Sequence, residues 1–447
     1  MRAKIKAPGK KLFNTAIDSL GPAKIPTKLP YHTLPLDASV TFHLDSENFE
    51  DLYDQNAVPV SFELGGPREN LYFDSSKAKC AIVTCGGLCP GINDVIRAIV
   101  MEATHNYRVP AILGIQYGLE GFIPSFNHDV RELSPERVSD IHLFGGTILG
   151  TSRGPQSAEE IVDALERMNI SALFMIGGDG TMKATSKVVA EVTKRGNKIS
   201  VIGIPKTIDN DINFISQSFG FETAVFKATE AIQCAHTEAL GANNGIGLVK
   251  LMGRESGFIA AHATMASKEV NFVLVPEVEF RLDGEGGVLP ALYQRLKDRS
   301  HAVVVLAEGA GQHLLTSTGK LDASGNPILG DIATLLRDEI ASYLKAKDMP
   351  HTIKYIDPSY IIRSVPANAN DKVYCGLLGQ NAVHAAMAGK TDMVVAKLMD
   401  RYVHIPLDLV TQKRRKLDVR SGYWSSVLES TGQSDLYGMI PGKNQGN

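Results

Sequence analysis

Nowhere in the sequence do apolar residues run unbroken for the ~18 positions that a membrane-spanning helix needs, and the opening stretch MRAKIKAPGKK leads into no apolar core of a signal peptide. The chain is therefore expected to be soluble, unexported and cytoplasmic. Cysteine is scarce. Five in 447 residues (Cys80, Cys85, Cys89, Cys234 and Cys375), with no CxxC pair, describe neither a disulfide framework nor a thiolate zinc site. The 12 histidines form no HExxH or comparable ligand spacing, so no transition-metal centre is expected. An excess of one charge is missing too: 46 Lys+Arg stand against 49 Asp+Glu, and no block of like charge is long enough for a binding tail. That balance argues against nucleic acid and membrane surfaces as partners and leaves small molecules. Tryptophan occurs once, as Trp424.

What the chain does have is apolar content. At 44% hydrophobic and 21% charged it can bury more than one core, since single cores stop growing near ~250–300 residues. Residues 1–70, with Pro22, Pro26, Pro30 and Pro35 close together and Gly65-Gly66-Pro67 near the end, show little periodicity and are expected to form an N-terminal extension. From Lys79 the pattern changes to short β-rich runs (CAIVTC, AILGIQY, ALFMIGG, VIGIP, GIGLVKLMG, NFVLVP and HAVVVLAEG), each followed by a polar or glycine-rich turn and a helical pattern. Between the first two runs, Ile92, Val95, Ile96, Ile99 and Val100 keep the i, i+3, i+4 spacing of a helix lying on a sheet. This predicts an α/β fold built from doubly wound parallel sheets, in which ligands sit beyond the carboxyl ends of strands.

The loops at those ends carry the chemistry. Gly86-Gly87-Leu88-Cys89-Pro90-Gly91 follows the first run and Gly177-Gly178-Asp179-Gly180-Thr181 the third, each feeding a helix. Glycines let backbone N–H groups approach phosphate oxygens, and the helix N-terminus favours the negative charge; a plain tight turn is the competing explanation. Asp179 is placed to hold a Mg²⁺–phosphate complex, or else to cap its helix. The fourth run ends in Pro205-Lys206-Thr207-Ile208-Asp209-Asn210-Asp211, the strongest local signal. A phosphoryl acceptor hydroxyl needs a carboxylate to take its proton and the phosphoryl oxygens need a cation, roles open to Asp209 and Lys206. Gly150-Thr151-Ser152-Arg153-Gly154 matches a hydrolase nucleophile elbow in letters, but no strand runs into Ser152. Gly389-Lys390-Thr391 lacks the upstream glycine of a P-loop, since that position is His384.

Taken together, PKTIDNDI, GGDGT, MGRESG at Met252 to Gly257 and PEVEF at Pro276 to Phe280 resemble the phosphofructokinases, in family order over about residues 79–375. NAD kinases share GGDGT alone. The resemblance implies a 6-phosphofructokinase of two Rossmann-like domains: 71–212 for the donor nucleotide and Mg²⁺-phosphate, completed by part of 366–447, and 213–365 for fructose 6-phosphate, with 366–447 packing back on both. Asp209 would be the catalytic base, Thr207 would hold the transferred phosphoryl group, and Asp211 would support the base. Asp179 would hold Mg²⁺; Gly86, Gly87, Gly178, Gly180, Thr181 and Arg153 would contact the donor's phosphates. Met252, Gly253, Arg254, Glu308, Tyr360 and Arg363 would bind the sugar phosphate, with Lys354 reaching it from a neighbouring subunit of a homodimer or homotetramer.

Two positions depart from the shorter members of the family: Gly245 stands where they carry an interface arginine, and Tyr360 where they carry histidine. By the same resemblance the donor signals are mixed. Gly180 matches ATP users, whereas Lys206 matches pyrophosphate users; because a missing carboxylate opens a path for the nucleoside, ATP is expected and pyrophosphate is the alternative. A catalytically silent, sugar-phosphate-binding regulatory subunit is the more distant alternative, opposed by the presence of Asp209, Asp179 and Arg153.

Overall fold

The computed structural model describes residues 10–11, 14–31, 33–35, 37–42, 57–58, 60–317, 319–322 and 325–433. In chain order the strands of its two main sheets are β1 (Ser39–Thr41), β2 (Ser61–Leu64), β3 (Lys79–Thr84), β4 (Ala111–Ile115), β5 (Val130–Glu132), β6 (Ala172–Gly177) and β7 (Ser200–Pro205). There follow β8 (Gly245–Leu251), β9 (Phe272–Leu274), β10 (His301–Ala307), β11 (Thr352–Ile356), β12 (Met393–Leu398) and β13 (Arg401–Pro406). All seven β-rich runs form strands. The chain divides into two compact units. The first takes the described residues up to Lys206 with Ile212–Phe219 and Lys372–Arg414; the second takes Thr207–Asp211, Gly220–Asp371 and the described residues from Arg415 on. Five residues of the TIDND loop thus pack with the second unit.

The first unit holds a nine-stranded sheet in the order β5-β4-β3-β6-β7-β12-β13-β2-β1. Its centre, β4 to β12, is parallel, while β5 at one edge and β13, β2 and β1 at the other are antiparallel. The sheet is therefore mixed at its margins, where short hairpin-type pairings need no crossover helix. Two strands of the N-terminal extension complete it. The chain runs from β3 to β4 on one side and then to β6 on the other, so the strand order reverses between β3 and β6. At such a reversal the loops leaving adjacent strands diverge and open a crevice. Alternate residues pack on opposite faces: Ala81, Val83, Leu173 and Met175 join the core under helices Ala158–Arg167 and Asp179–Lys194. The helix Ile92–Met101 forms as its spacing predicts, with Ile92, Val95, Ile96, Ile99 and Val100 all buried.

The second unit holds a four-stranded, all-parallel sheet in the order β9-β10-β8-β11. On one face Ile246, Leu248, Val304 and Leu306 meet helices Val288–Arg299 and Ile332–Ala346. On the other, β8 lies against helix Phe221–Leu240 so closely that a Cβ on Gly247 would stand 2.8 Å from the Ala235 carbonyl oxygen. The same contact explains Gly245. A Cβ there would stand 2.1 Å from the Ala239 carbonyl oxygen, so no arginine fits at that position without moving the helix. No described helix is long and apolar enough to cross a membrane.

Candidate active site

In the first unit, three loops from adjacent strand ends are tied together by short hydrogen bonds. Gly86, which has a φ of 82° that favours glycine, donates its N–H to the Ser152 carbonyl (3.0 Å) and accepts from Thr151 Oγ1 (2.7 Å). Thr84 Oγ1, at the end of β3, donates to the Gly150 carbonyl at 2.7 Å. The GTSRG segment is thus a buttress for the first glycine turn, with no strand entering Ser152, and Arg153 within it is exposed. Lys206 closes the third side. Buried to 5% exposure at the end of β7, it donates its N–H to Gly177 O (2.8 Å) and its Nζ to Gly87 O (2.5 Å). Lys206 thus joins both glycine turns, through its backbone at the second and its ammonium at the first, where anionic oxygens would gain from the charge.

Gly178 takes the cap position and Asp179 begins the helix Asp179–Lys194, so the carboxylate lies in the first turn, where the helix dipole favours it. Its Oδ2 is 2.8 Å from Lys183 Nζ and 3.8 Å from the Arg414 guanidinium. Thr181 is buried under the same turn: a Cβ on Gly177 would collide with its side chain. Gly180 is different. A Cβ there meets nothing within 4 Å, so the smallness of this residue is not required by packing. Cys85 is buried beside Lys206 and Thr181, and burial pushes its thiol up to about 12, which leaves it an inert core residue.

In the second unit the TIDND loop is held by its own side chains. Thr207 Oγ1 accepts the Asp209 N–H (3.1 Å) and donates to Asp211 Oδ1 (3.1 Å). Asn210 sits at φ 55°, a left-handed conformation that Asn tolerates. Ser256 Oγ donates to the Asp209 carbonyl (3.0 Å) and Arg415 N–H to the Asp211 carbonyl (2.8 Å). The Asp209 carboxyl group is half-buried and Asp211 is buried.

Met252-Gly253-Arg254 and Glu308 leave neighbouring strands and stay joined: Gly309 N–H donates to Gly253 O (3.0 Å) and Glu308 N–H to Leu251 O (2.8 Å). Gly253 has φ 131°, and a Cβ on it would clash with the Ser256 carbonyl, so this turn requires glycine. Burial raises the Glu308 carboxyl above its usual range, and Arg254 and Lys250 pull it back in part. Arg254 also donates to the Pro327 carbonyl (2.5 Å) and lies 3.5 Å from Asp322. Tyr360 is 71% exposed and its ring lies under the Arg363 guanidinium at 4.9 Å. Lys354 lies apart from this group, paired with Glu238 at 3.1 Å.

Three neighbours of these residues, Arg414, Lys250 and Arg415, stand outside the quoted motifs, and a fourth, Glu277, lies inside PEVEF with no role assigned to it there. Arg414 approaches Asp179 from the C-terminal segment; Lys250, paired with Asp357 at 2.8 Å, stands between the ends of β8 and β11. Arg415 N–H binds the Asp211 carbonyl, and Glu277 accepts from the Gly257 N–H next to Ser256. Lys250 had a signal, a lone cation inside the apolar run GIGLVKLMG. Arg414 and Arg415 had none, because their partners are hundreds of residues away.

These features agree with known proteins. The family model described as phosphofructokinase matches residues 79–386. Over 381 residues, 84% of this chain and 85% of the relative, the chain is 51% identical to the "ATP-dependent 6-phosphofructokinase" of Borreliella burgdorferi. It is 48% identical to the protein of the same name from Amycolatopsis methanolica, covering 86% of this chain and 85% of the relative. Among solved structures, the pyrophosphate-dependent phosphofructokinase of Marinobacter aquaeolei superposes with a TM-score of 0.65 over 79% of this chain and 91% of that one, at 20% identity, a likeness of fold. With the family model spanning well over half its length and curated relatives at about half identity, this chain belongs to the phosphofructokinase family.

Proposed function

We propose that this protein is an ATP-dependent 6-phosphofructokinase, which transfers the γ-phosphoryl group of ATP to the 1-hydroxyl of fructose 6-phosphate and yields fructose 1,6-bisphosphate and ADP. The observation that carries this reading is the pairing of the self-braced TIDND loop, with Asp209 fixed through Thr207 and Ser256, and relatives at 48–51% identity named for this activity. Asp209 takes the proton from the sugar's 1-hydroxyl as that oxygen forms its bond to phosphorus. The bond from phosphorus to the ADP oxygen breaks, and the leaving oxygen keeps the electron pair. Lys206 and Arg153 balance the charge of the donor phosphates, which lie against the two turns that carry Gly86, Gly87, Gly178, Gly180 and Thr181. Met252, Gly253, Arg254, Glu308 and Arg363 orient the sugar phosphate, with guanidinium forks for its phosphate and a carboxylate for its hydroxyls.

Asp179 fits Mg²⁺ and does not fit a closed metal cage: it is a lone half-exposed carboxylate, and among the described residues no group of three or more His, Cys, Asp or Glu side chains gathers to hold an ion. Magnesium is typically held by one or two carboxylates, with water and substrate phosphates completing its shell. Held at Asp179, the ion would supply positive charge that offsets the negative charge of the donor phosphates.

The family resemblance further supports a cytoplasmic homodimer or homotetramer in which Lys354 of one chain serves a neighbour's sugar phosphate. Purified protein supplied with fructose 6-phosphate, Mg²⁺ and either ATP or pyrophosphate tests the assignment. Fructose 1,6-bisphosphate is expected with ATP. Product with pyrophosphate alone, the reading favoured by Lys206, overturns the donor; sugar-phosphate binding without turnover makes the chain a regulatory subunit.

Gly180 gives a sharper test of the donor. Since a Cβ there meets nothing within 4 Å, Gly180→Asp leaves the unfolding midpoint unchanged. The new carboxylate repels a nucleotide's phosphates, and kcat/KM for ATP falls on the order of 10- to 100-fold, with the KM for the sugar unaltered. An ATP kcat/KM within about twofold of the parent would refute the steric argument.

A further inference from the structure

Glu277 lies outside every role described so far. It follows β9 in the segment PEVEF, half-buried, and one oxygen, Oε1, accepts two backbone N–H groups: Gly257 at 3.0 Å and Leu417 at 2.8 Å. Gly257 caps the helix Phe258–Ser267 and follows Ser256, whose Oγ donates to the Asp209 carbonyl at 3.0 Å. Leu417 lies two residues after Arg415, whose N–H donates to the Asp211 carbonyl at 2.8 Å. The loop is therefore gripped on both sides of Asn210 by two segments that meet on a single carboxylate oxygen.

The packing leaves little slack. A Cβ on Gly257 would stand 2.4 Å from Val275 Cγ1 and 3.0 Å from Glu277 Oε2, and the Arg415 guanidinium lies over the Phe258 ring at 4.6 Å. Among the described residues, Glu277 Oε2 is buried without a hydrogen-bond partner. Such a group is costly, and burial raises the carboxyl above its ordinary range. A cost retained at one oxygen while the other joins two separate backbone segments is the pattern of a clamp.

We infer that Glu277 is a positioning residue for Asp209: by accepting from Gly257 and Leu417 together, it sets the two backbone contacts that hold the TIDND loop in place for proton transfer. The inference rests on the assignment of Asp209 as base. It requires no contact between Glu277 and any substrate.

Three variants and two readouts test it. Glu277→Ala is expected to lower kcat about 10-fold while KM for fructose 6-phosphate and ATP stay within about threefold, because misplacing a catalytic group costs rate before it costs binding. Glu277→Gln keeps a carbonyl oxygen for both amides and should recover kcat to within about threefold of the parent. Ser256→Ala cuts the link between the clamp and the Asp209 carbonyl with a minimal change of volume, and should lower kcat in the same sense. Amide hydrogen exchange in peptides covering 207–211 should quicken about 10-fold in both alanine variants and stay near parental in the glutamine variant. A parental kcat and parental exchange in Ser256→Ala overturns the proposal even if Glu277→Ala does not fold. So does a glutamine variant no better than alanine. If the parent protein phosphorylates no fructose 6-phosphate, the activity assignment fails while the exchange measurement still judges the clamp.

Discussion

Asp209→Asn is expected to lower kcat by roughly 10²- to 10⁴-fold, the usual worth of a positioned base, with little change in the KM for fructose 6-phosphate. Asparagine has nearly the shape of aspartate and leaves the Asp209 N–H bond to Thr207 Oγ1 and the carbonyl bond from Ser256 Oγ untouched. The loop therefore keeps its form, and what disappears is the ability to accept a proton from the sugar hydroxyl. Sugar and donor are held by other groups, so binding should survive. Steady-state kinetics with varied fructose 6-phosphate separates the two quantities: kcat within about threefold of the parent would remove Asp209 from the reaction. A large rise in sugar KM at normal kcat would instead make the carboxylate a binding group.

How much of this was visible beforehand depended on whether the deciding contact is local. The seven runs became strands because each carries enough apolar residues in a short span to be buried within a parallel sheet, a requirement met locally. The helix Ile92–Met101 was legible for the same reason, and Gly86 and Gly253 have the positive φ that explains their being glycine. Strands β1, β2 and β11 were not legible. SVT, SFEL and TIKYI carry no continuous apolar run like those of β6 and β7, and they owe their strand form to the neighbours they pair with. The division of the chain at Lys206 and Thr207 was equally hidden, since adjacent residues of one motif pack with different units. At the site, residue types in PKTIDNDI pointed to the chemistry, but Glu277, Lys250 and Arg414 act through partners from 20 to more than 200 residues away, a separation that no spacing rule spans.

Glu63→Ala is expected to be the most destabilising single change outside the site, at about 3–5 kcal/mol near neutral pH, the typical cost of removing one partner from a buried ion cluster. Glu63 lies on β2 directly opposite His404 on β13, and its carboxylate accepts from His404 Nδ1 (3.0 Å), Lys390 Nζ (2.7 Å) and Arg68 (2.9 Å). Arg68 is 1% exposed and His404 fully buried, so neither cation nor ring can turn to water when the carboxylate is gone. Burial alone would raise Glu63; His404 and Lys390 outweigh it and hold the carboxyl at about 2. A carboxylate with a lowered folded-state value contributes stability that is complete above its unfolded value near 4.5 and is lost as pH falls toward 2. His384, pressed down to about 4 by burial, adds loss of the same sign between its ordinary 6.5 and 4, since the unfolded ring takes a proton that the folded one refuses. Asp94 and Asp392, raised to about 6 by burial, act in the opposite sense over the upper window, so the informative quantity is the gap between parent and variant: denaturant unfolding from pH 7 to pH 3 should show it narrow as pH falls below about 4.5. Glu63→Ala should begin several kcal/mol lower and lose the more acidic window while keeping the one due to His384. A variant less than about 1 kcal/mol below the parent at pH 7 would mean that Arg68, Lys390 and His404 find other partners, and that the pairing of β2 with β13 rests on its backbone ladder and apolar contacts alone.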